Sequence, residues 1–343
     1  MSENGTSGNR LEGKLQKEPF FSIIIPVWNR QESIKRCLDS IFAQDFEDYE
    51  VVAVDDASDD DSVKVMKSYE DPRLTVIVHP ENRGVCAARN TATANARGKW
   101  HLCVDSDWAL LPGALKVLAQ LACEVGHDVG VIGGYVKTDQ GQVWPSQRFP
   151  ESPFGFIEYL RWVESTNASD FLHCRRAEVF ETIQWPTDRR LELQFCMRVA
   201  KAWKMSISPE TLAILYTDCA NRYMTDRSEK SIERKTASAP DQALAYREVL
   251  MEFGAELKRH TPGLYSRILL GAASYHFQAG QRLGGMRYAS LALLRKPWAL
   301  RLYPLVVIGL AGPKAIKFVR SSKLVQSVFR YLFKFFSGWR DKK

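Results

Sequence analysis

The chain has 343 residues and a formal net charge of +7, and 45% of its residues are hydrophobic. This length suits two domains, or one domain with an extension, and the hydrophobic content is that of a globular protein with a sizeable core. Residues 314–343 contain nine Lys or Arg and one Asp, a local charge of +8, so the rest of the chain sums to about −1 (7 − 8). Nucleic-acid-binding domains usually spread positive charge over a folded face, so this distribution argues against that class.

The seven cysteines are odd in number and scattered, with no Cys-x-x-Cys pair and no Cys/His cluster at the spacing of a zinc site. This pattern is typical of reduced thiols in a cytosolic protein. Residues 1–18 are polar and contain glycine, so we expect a disordered tail. No apolar run precedes Phe20, which predicts that the chain has no signal peptide.

Strand and helix patterns alternate at short spacing along the first two thirds of the chain. Continuous apolar runs such as Phe20–Val27 are typical of parallel strands buried on both faces. The alternation predicts βαβ units and therefore an α/β fold with a parallel sheet. We predict strands at residues 20–27, 49–54, 74–78, 100–107, 129–136, 171–176 and 205–216. The predicted helices are 31–43, 62–69, 82–96, 114–125, 154–163, 177–183 and 191–203.

The composition changes after residue 224. Residues 226–235 are dense in charge, and helical patterns follow at 240–254, 265–279 and 286–294. The apolar run 302–310 is short, whereas a membrane-spanning helix needs about 20 residues. We therefore predict one α/β domain over residues 19–224 and a helical region over residues 225–313.

Two carboxylates close the predicted strand 100–107. Side chains alternate along a strand, so Asp105 and Asp107 would project from one face at its carboxyl end, where open α/β sheets bind ligands. Two like charges held close repel each other unless a cation or a proton is present. Mg²⁺ or Mn²⁺ on a nucleotide diphosphate would satisfy them. An acidic turn before the next helix is the alternative.

Two more motifs are predicted at the same edge of the sheet. Asp55 and Asp56 end the second strand, where a carboxylate either accepts hydrogen bonds from a nucleobase or ribose or caps the next helix. Gly84 opens the third helix and allows an anion to approach its N-terminus. Arg89, about two turns into that helix, either reaches a phosphate or the acidic strand ends, or is a surface arginine.

Four motifs in this order resemble the family 2 glycosyltransferases of the GT-A fold. They are SIIIPVWNR at 22–30, VDDASD at 54–59, NRG with ARN between 82 and 90, and GKW leading into VDSD between 98 and 107. The resemblance covers about residues 20–216. It implies a Rossmann-like, mostly parallel sheet flanked by helices, and an inverting nucleotide-sugar transferase.

The resemblance also implies roles for single residues. Asp56 would recognise the base, usually uracil, Asp105 would approach the ribose or the metal, and Asp107 would hold Mn²⁺ or Mg²⁺ on the diphosphate. The predicted nucleotide-sugar site consists of Pro26, Trp28, Asn29, Asp56, Gly84, Arg89 and Asp105. A metal there would neutralise the departing nucleoside diphosphate.

An inverting transferase also needs a carboxylate that takes the proton of the acceptor hydroxyl. In many members of the family this base is the Asp of a Glu-Asp pair that lies several residues before an Arg on a helix. Counting back from Arg198, Leu191 occupies the position where the family usually has Glu, and Glu192 occupies the position where it usually has the base Asp. Glu192 is longer than Asp by one methylene. The alternative to a role as the base is that Glu192 only interacts with the dipole of its helix. Asp188 is the second candidate base.

A second departure from the family lies near residue 218. Many relatives carry a His there that helps to hold the metal or the diphosphate, whereas this chain has Asp218 or Cys219, of which a hard cation prefers Asp218. The processive-synthase motif Gln-x-x-Arg-Trp is absent, which favours transfer of one sugar per event. Arg175 and Arg176 lie in the half that normally receives the acceptor. They would contact an anionic acceptor or a lipid phosphate, or they would have a purely structural role.

The basic tail, residues 314–343, has apolar residues at helical spacing between Lys323 and Trp339, with basic residues among them. Such helices lie in the membrane interface, where each basic residue adds roughly 1 kcal/mol of attraction to anionic headgroups. Docking on the protein itself or in a dimer is the alternative. We expect a cytoplasmic protein held peripherally at the inner face of the cell membrane.

The predicted function is transfer of a single sugar from a nucleotide sugar, with a UDP-sugar favoured, to a saccharide or lipid-linked acceptor. The product would be a precursor of a surface polysaccharide or glycolipid. One alternative is a nucleotidylyltransferase, which usually carries a Gly-rich loop near the first strand, and Pro26 to Arg30 offers none. The other is a degenerate membrane-bound scaffold, supported only by the Leu191-Glu192 departure.

Overall fold

The computed structural model describes residues 18–166, 171–186, 192–218, 237–295 and 311–312. The strands are β1 (Phe21–Val27), β2 (Tyr49–Asp55), β3 (Leu74–Val78), β4 (Trp100–Cys103), β5 (Trp108–Leu110), β6 (Val129–Thr138), β7 (Val143–Trp144), β8 (Leu172–Arg176) and β9 (Lys204–Leu215). The helices of the α/β region are α1 (Ile34–Phe42), α2 (Ser62–Lys67), α3 (Val85–Asn95), α4 (Ala114–Glu124), α5 (Phe156–Thr166), α6 (Ala177–Thr182) and α7 (Glu192–Ala202). Three helices follow: α8 (Ala239–His260), α9 (Pro262–Gln278) and α10 (Arg282–Arg295).

The described strands form one mixed sheet in the order β3-β2-β1-β4-β8-β6-β9-β5, with β7 added beside β6. The pairs β3–β2, β2–β1 and β1–β4 are parallel, which agrees with the βαβ units predicted for this half. β8 is antiparallel to both β4 and β6, and β9 is parallel to β6. The predicted α/β class is correct, but the parallel arrangement of the first half ends at β4.

The predicted strand 100–107 is wrong at its carboxyl end. β4 stops at Cys103, residues 106–107 form a turn, and β5 then pairs antiparallel with β9. A three-residue strand such as β5 is too short to show a period in the sequence, and it is defined only by its pairing with a distant segment. The same reason explains why the two-residue β7 was not predicted.

Helices α8 and α9 pack on the α/β region. Val249 and Phe253 of α8 and Ile268 of α9 share one buried apolar cluster with Trp162 of α5. The helical region predicted after residue 224 is therefore helical where it is described, while its boundaries stay a prediction. The apolar run 302–310 and the tail 314–343 lie outside the described residues. Within the described ranges, every helix is too short or too polar to cross a bilayer.

Candidate active site

The loops after β1 and β2 are joined at the carboxyl edge of the sheet. The amide of Asn29 donates to Oγ of Ser58 at 2.8 Å, and Oδ1 of Asn29 accepts from the amide of Asp59 at 3.0 Å. Asn29 has a positive φ of 53°, a conformation that Asn adopts more readily than most residues. Of the other predicted pocket residues, Pro26 is buried in β1 and Trp28 is half-buried in this loop.

Asp56 is only 2% exposed, and its carboxylate fixes the loop that leads into α3. Oδ1 accepts from the amide of Arg83 at 2.9 Å and lies 2.8 Å from Nδ1 of His79, while Oδ2 accepts from the amide of Gly84 at 2.6 Å. Gly84 has a φ of 91°, which requires glycine there. A carboxylate has about four acceptor positions, and these three contacts use three of them. Sequence reasoning missed His79, whose position relative to Asp56 forms no motif.

Arg89 connects the two walls of the site. Its side chain is 6% exposed, Nη2 donates to Oδ1 of Asp105 at 2.8 Å, and Nη1 lies 2.8 Å from Oε1 of Glu192. Burial by itself would lower the pKa of Arg89, but the carboxylates of Glu192 and Asp105 outweigh it and hold the pKa well above its usual value. The guanidinium therefore stays charged, and the reading of Arg89 as a surface residue is wrong.

Asp105 and Asp107 lie in the turn after β4, closed by a 2.9 Å hydrogen bond from the amide of Trp108 to the carbonyl of Asp105. The argument from alternating strand side chains is therefore wrong for this pair. Both carboxylates are nevertheless close to the buried thiol of Cys37. Burial raises the pKa of that thiol most, and the charges of Asp107 and Asp105 raise it further. Both Asp side chains are partly exposed, as ligand binding requires.

The donor set at this turn fits Mg²⁺ or Mn²⁺. Mg²⁺ on a nucleotide is commonly bound by one or two carboxylates together with phosphate oxygens and water. Asp107 and Asp105 supply hard oxygen ligands in that number. Among the described residues, no three His, Cys, Asp or Glu side chains are grouped to hold a metal by themselves. A cation at this turn would thus depend on the substrate for its remaining ligands.

Asp218 lies two residues after Tyr216, whose amide donates to the carbonyl of Asp107 at 3.1 Å, and its role as a metal ligand stays a prediction. Its carboxylate forms a two-point ion pair with Arg36, at 3.1 and 3.2 Å. The guanidinium of Arg36 also lies 3.5 Å above the ring of Tyr216. The Arg36 partner explains the position of Asp218, since a bidentate carboxylate contact is strong. Cys219 and the second candidate base, Asp188, lie outside the described residues.

A cavity lies behind the Arg89–Glu192 pair, with Asp105, His173, Arg175 and Trp185 in its wall. Asn90 of α3 fixes the Trp185 backbone through two hydrogen bonds of 3.0 Å. His173 hydrogen bonds through Nδ1 to a backbone carbonyl at 3.0 Å. Burial, followed by the charges of Arg175 and Arg89, holds the pKa of His173 well below its usual value, so the ring is neutral at pH 7. Sequence reasoning missed Trp185 and His173, because neither belongs to a motif.

Comparison with known proteins gives one family and one fold. Residues 22–183 match the family model described as Glycosyl transferase family 2. The chain is 28% identical over 209 residues to the "Putative colanic acid biosynthesis glycosyl transferase WcaA" of Escherichia coli K12, which covers 58% of this chain and 74% of that protein. Seven other curated relatives match over 40% or less of their own length.

Two solved structures share the architecture. S. aureus TarS 1–349, in complex with UDP-GlcNAc, aligns with a TM-score of 0.56 at 20% identity, over 90% of this chain and 91% of that one. The mannosyltransferase PcManGT from Pyrobaculum calidifontis, in complex with GDP-Man and Mn²⁺, aligns with a TM-score of 0.50 at 20% identity, over 89% and 88% of the two chains. At this identity the likeness shows the fold alone, and it confirms the GT-A prediction.

Proposed function

Since this chain is a glycosyltransferase that belongs to glycosyl transferase family 2, we propose that it transfers one sugar, with inversion, from a nucleotide-sugar donor to a saccharide or lipid-linked acceptor. A UDP-sugar is the favoured donor, and the product is a precursor of a surface polysaccharide or glycolipid. The observation that carries this proposal is the contact of one guanidinium with Asp105 and Glu192. It places a carboxylate at the carboxyl end of β4 next to one on α7, so donor and acceptor can meet between them.

On the donor side, the residues at the carboxyl edge of the sheet hold the nucleotide. The remaining acceptor position on Oδ2 of Asp56 takes an N–H of the base, and the loop around Asn29 shapes the pocket wall. Asp107 and Asp105 would hold Mn²⁺ or Mg²⁺, which neutralises the charge of the departing diphosphate when bound. The relative with bound GDP-Man and Mn²⁺ supports a divalent cation in this fold.

On the acceptor side, Glu192 accepts the proton of the attacking hydroxyl. The hydroxyl oxygen forms a bond to the anomeric carbon of the donor sugar, and the bond from that carbon to the diphosphate oxygen breaks. Glu192 is half exposed, with 48% of its side-chain surface open, so an acceptor can reach it. General-base assistance of this kind contributes typically 10²- to 10⁴-fold to a rate.

The test is nucleoside-diphosphate release from a panel of UDP-, GDP- and dTDP-sugars with Mn²⁺ and with Mg²⁺. We expect release from at least one sugar nucleotide and dependence on the cation. A thermal shift produced by the same compounds identifies those that bind the folded protein. Binding without release from any donor, in the presence of saccharide and lipid-linked acceptors, would instead support the degenerate scaffold.

The tail 314–343 is proposed to hold the enzyme at the inner face of the cell membrane. Its charge of +8 and the helical spacing of its apolar residues support this placement. The name of the E. coli relative, which refers to colanic acid, supports a role in surface polysaccharide synthesis. Deleting residues 315–343 should move the protein from the membrane fraction to the soluble fraction. If the truncated protein still pellets with membranes, another segment anchors it.

A further inference from the structure

Arg175 is a buried arginine whose charge has no carboxylate partner among the described residues. The residue is 3% exposed on β8, and its Nε and Nη1 atoms make no hydrogen bond. Its guanidinium packs against the rings of Trp185 and Phe195, 4.9 Å from each. Aromatic faces compensate a buried cation only in part, because a charge taken out of water needs a counter-charge or hydrogen bonds. Arg175 thus has hydrogen-bond donors that an anion could use.

The carboxylates nearest to this cavity are already engaged. Asp105 and Glu192 line the cavity, and both are paired with Arg89 at 2.8 Å. Arg89 offsets one of their two negative charges, and the charge of Arg175 brings these four side chains to a sum of zero, but Arg175 makes no ion pair with any described residue and its Nε and Nη1 atoms make no hydrogen bond. An entering carboxylate would accept hydrogen bonds from the Arg175 guanidinium, whose donors are the ones left without partners.

Other polar atoms of the cavity wall also lack hydrogen-bond partners, among them one on Trp185 and one on His173. The indole Nε1 of Trp185 is a donor, and Nε2 of His173 is an acceptor, since the carbonyl of Phe171 receives the proton on Nδ1. The cavity thus offers donors to an anionic group and one acceptor to a hydroxyl. A sugar acid carries both groups on neighbouring carbons. The cavity volume of about 70 Å³ admits the carboxylate end of a sugar.

We propose that Arg175 binds a carboxylate on one of the two sugars that meet at Glu192, so that the substrate is a sugar acid such as a uronic acid. This inference rests on the proposed function. The carboxylate belongs either to the donor sugar or to the terminal sugar of the acceptor. Because Glu192 and Asp105 line the same cavity, a group bound by Arg175 lies within one sugar residue of the transfer site.

The first experiment compares acid and neutral partners in two pairs, using the full-length protein. The donor pair is UDP-glucuronate and UDP-glucose, measured by UDP release. The acceptor pair is an octyl glucuronide and an octyl glucoside, measured with whichever sugar nucleotide is turned over. We expect at least tenfold higher kcat/KM for the acid member of one pair, and the pair that shows it identifies the sugar. In Arg175→Met the ratio should fall close to one, and Arg175→Lys should retain part of it.

Arg176→Met is the matched control. Arg176 donates to the carbonyls of Val129 and Gly126 and stacks on Trp100, so its loss should affect the fold and leave the acid-to-neutral ratio unchanged. A structural role for Arg175 predicts a lower Tm for Arg175→Met, whereas removal of an unpaired buried charge predicts an equal or higher Tm. Equal turnover of acid and neutral members in both pairs overturns the inference, and so does a ratio that survives in Arg175→Met.

A second measurement does not depend on turnover. The Tm of wild type and Arg175→Met is recorded with sodium glucuronate, and with glucose plus sodium chloride at the same ionic strength. Glucuronate should raise the Tm of the wild type alone, since only that protein offers the guanidinium. An equal effect on both proteins overturns the inference. If no sugar nucleotide is hydrolysed or transferred in the first experiment, the proposed function fails, and the Tm comparison still decides whether Arg175 binds a sugar acid.

Discussion

Asp105 and Glu192 share the guanidinium of Arg89, which contacts each of them at 2.8 Å. Asp105 follows a central strand of the sheet, and Glu192 begins a helix on the opposite wall. The planar fork of an arginine sets both the distance and the orientation between two carboxylates, which a lysine ammonium does not. Arg89 is therefore a positioning residue for the proposed base as well as for the donor wall.

Arg89→Lys should lower kcat by about 100-fold, because a misplacement of about 1 Å between reacting groups can cost that much. The lysine retains the positive charge, so the effect isolates geometry from charge. The measurement is steady-state nucleoside-diphosphate release with the active sugar nucleotide. Arg198→Lys is the control, since Arg198 pairs with Glu252 outside the cavity wall. Wild-type activity in Arg89→Lys would show that the shared contact does not position the base.

Glu192→Gln should lower kcat by a factor of 100 or more while binding of the sugar nucleotide is retained. The amide has nearly the shape of the carboxylate but cannot accept the proton of the acceptor hydroxyl. Donor affinity is followed by calorimetry or thermal shift, and turnover by nucleoside-diphosphate release. Glu192→Asp should keep more activity than Glu192→Gln, because it keeps the carboxylate. Full activity in Glu192→Gln would remove Glu192 as the base and direct attention to Asp188.

Asp107→Asn should abolish most of the response of the enzyme to Mn²⁺ or Mg²⁺. A metal at a developing diphosphate charge supplies several kcal/mol of stabilisation, so loss of its main ligand should lower the rate by at least about 100-fold. The titration of activity against each cation is compared between wild type and variant, and chelation of the cation should have the same effect on wild type. Asp128→Asn, at an exposed ion pair with Lys204, is the control and should titrate like the wild type. An unchanged cation response in Asp107→Asn would assign the metal to other ligands.

The sequence predicts most elements of this fold because each has a local pattern of apolar residues that is typical of a strand or of a helix. The buried runs of β1 and β2 and the amphipathic α1 are examples, and their bounds agree with the structure within a few residues. The turn at Asp105 to Asp107 was misread as strand because β5 is defined by its pairing with β9, which no local pattern reports.

The candidate site shows the same division between local and non-local information. Motifs gave Asp56, Gly84 and Arg89, but the Arg89–Glu192 contact joins segments far apart in the chain and appears only in three dimensions. Arg175 stood out as a charge in a strand, yet only the folded structure shows that it is buried and that its Nε and Nη1 atoms make no hydrogen bond. Such relations depend on tertiary packing, so residue pattern alone does not contain them.

His101 should make the folded protein less stable as the pH falls from about 6.5 to about 4. Burial, the largest cause, lowers the pKa of His101 from 6.5 to about 4, and its ring stacks on Phe180 with Nδ1 unpaired. Below pH 6.5 the unfolded chain binds a proton that the folded chain does not, so stability is lost with falling pH and the loss levels off below pH 4. The lost stability amounts to at most about 3 kcal/mol from a shift of this size.

The measurement is the free energy of unfolding by urea at several pH values between 7.5 and 4 for wild type and His101→Phe. Phe keeps the stacked ring and removes the titration, so the variant should lose less stability across this range, whatever its stability at pH 7.5. Burial raises the pKa of Glu50, but hydrogen bonds from Ser22 and Arg97 outweigh it and lower that pKa, which adds an acid sensitivity that is present in both proteins. His127→Gln, at an exposed position, should keep the wild-type dependence. Parallel curves for wild type and His101→Phe would show that His101 does not couple folding to pH.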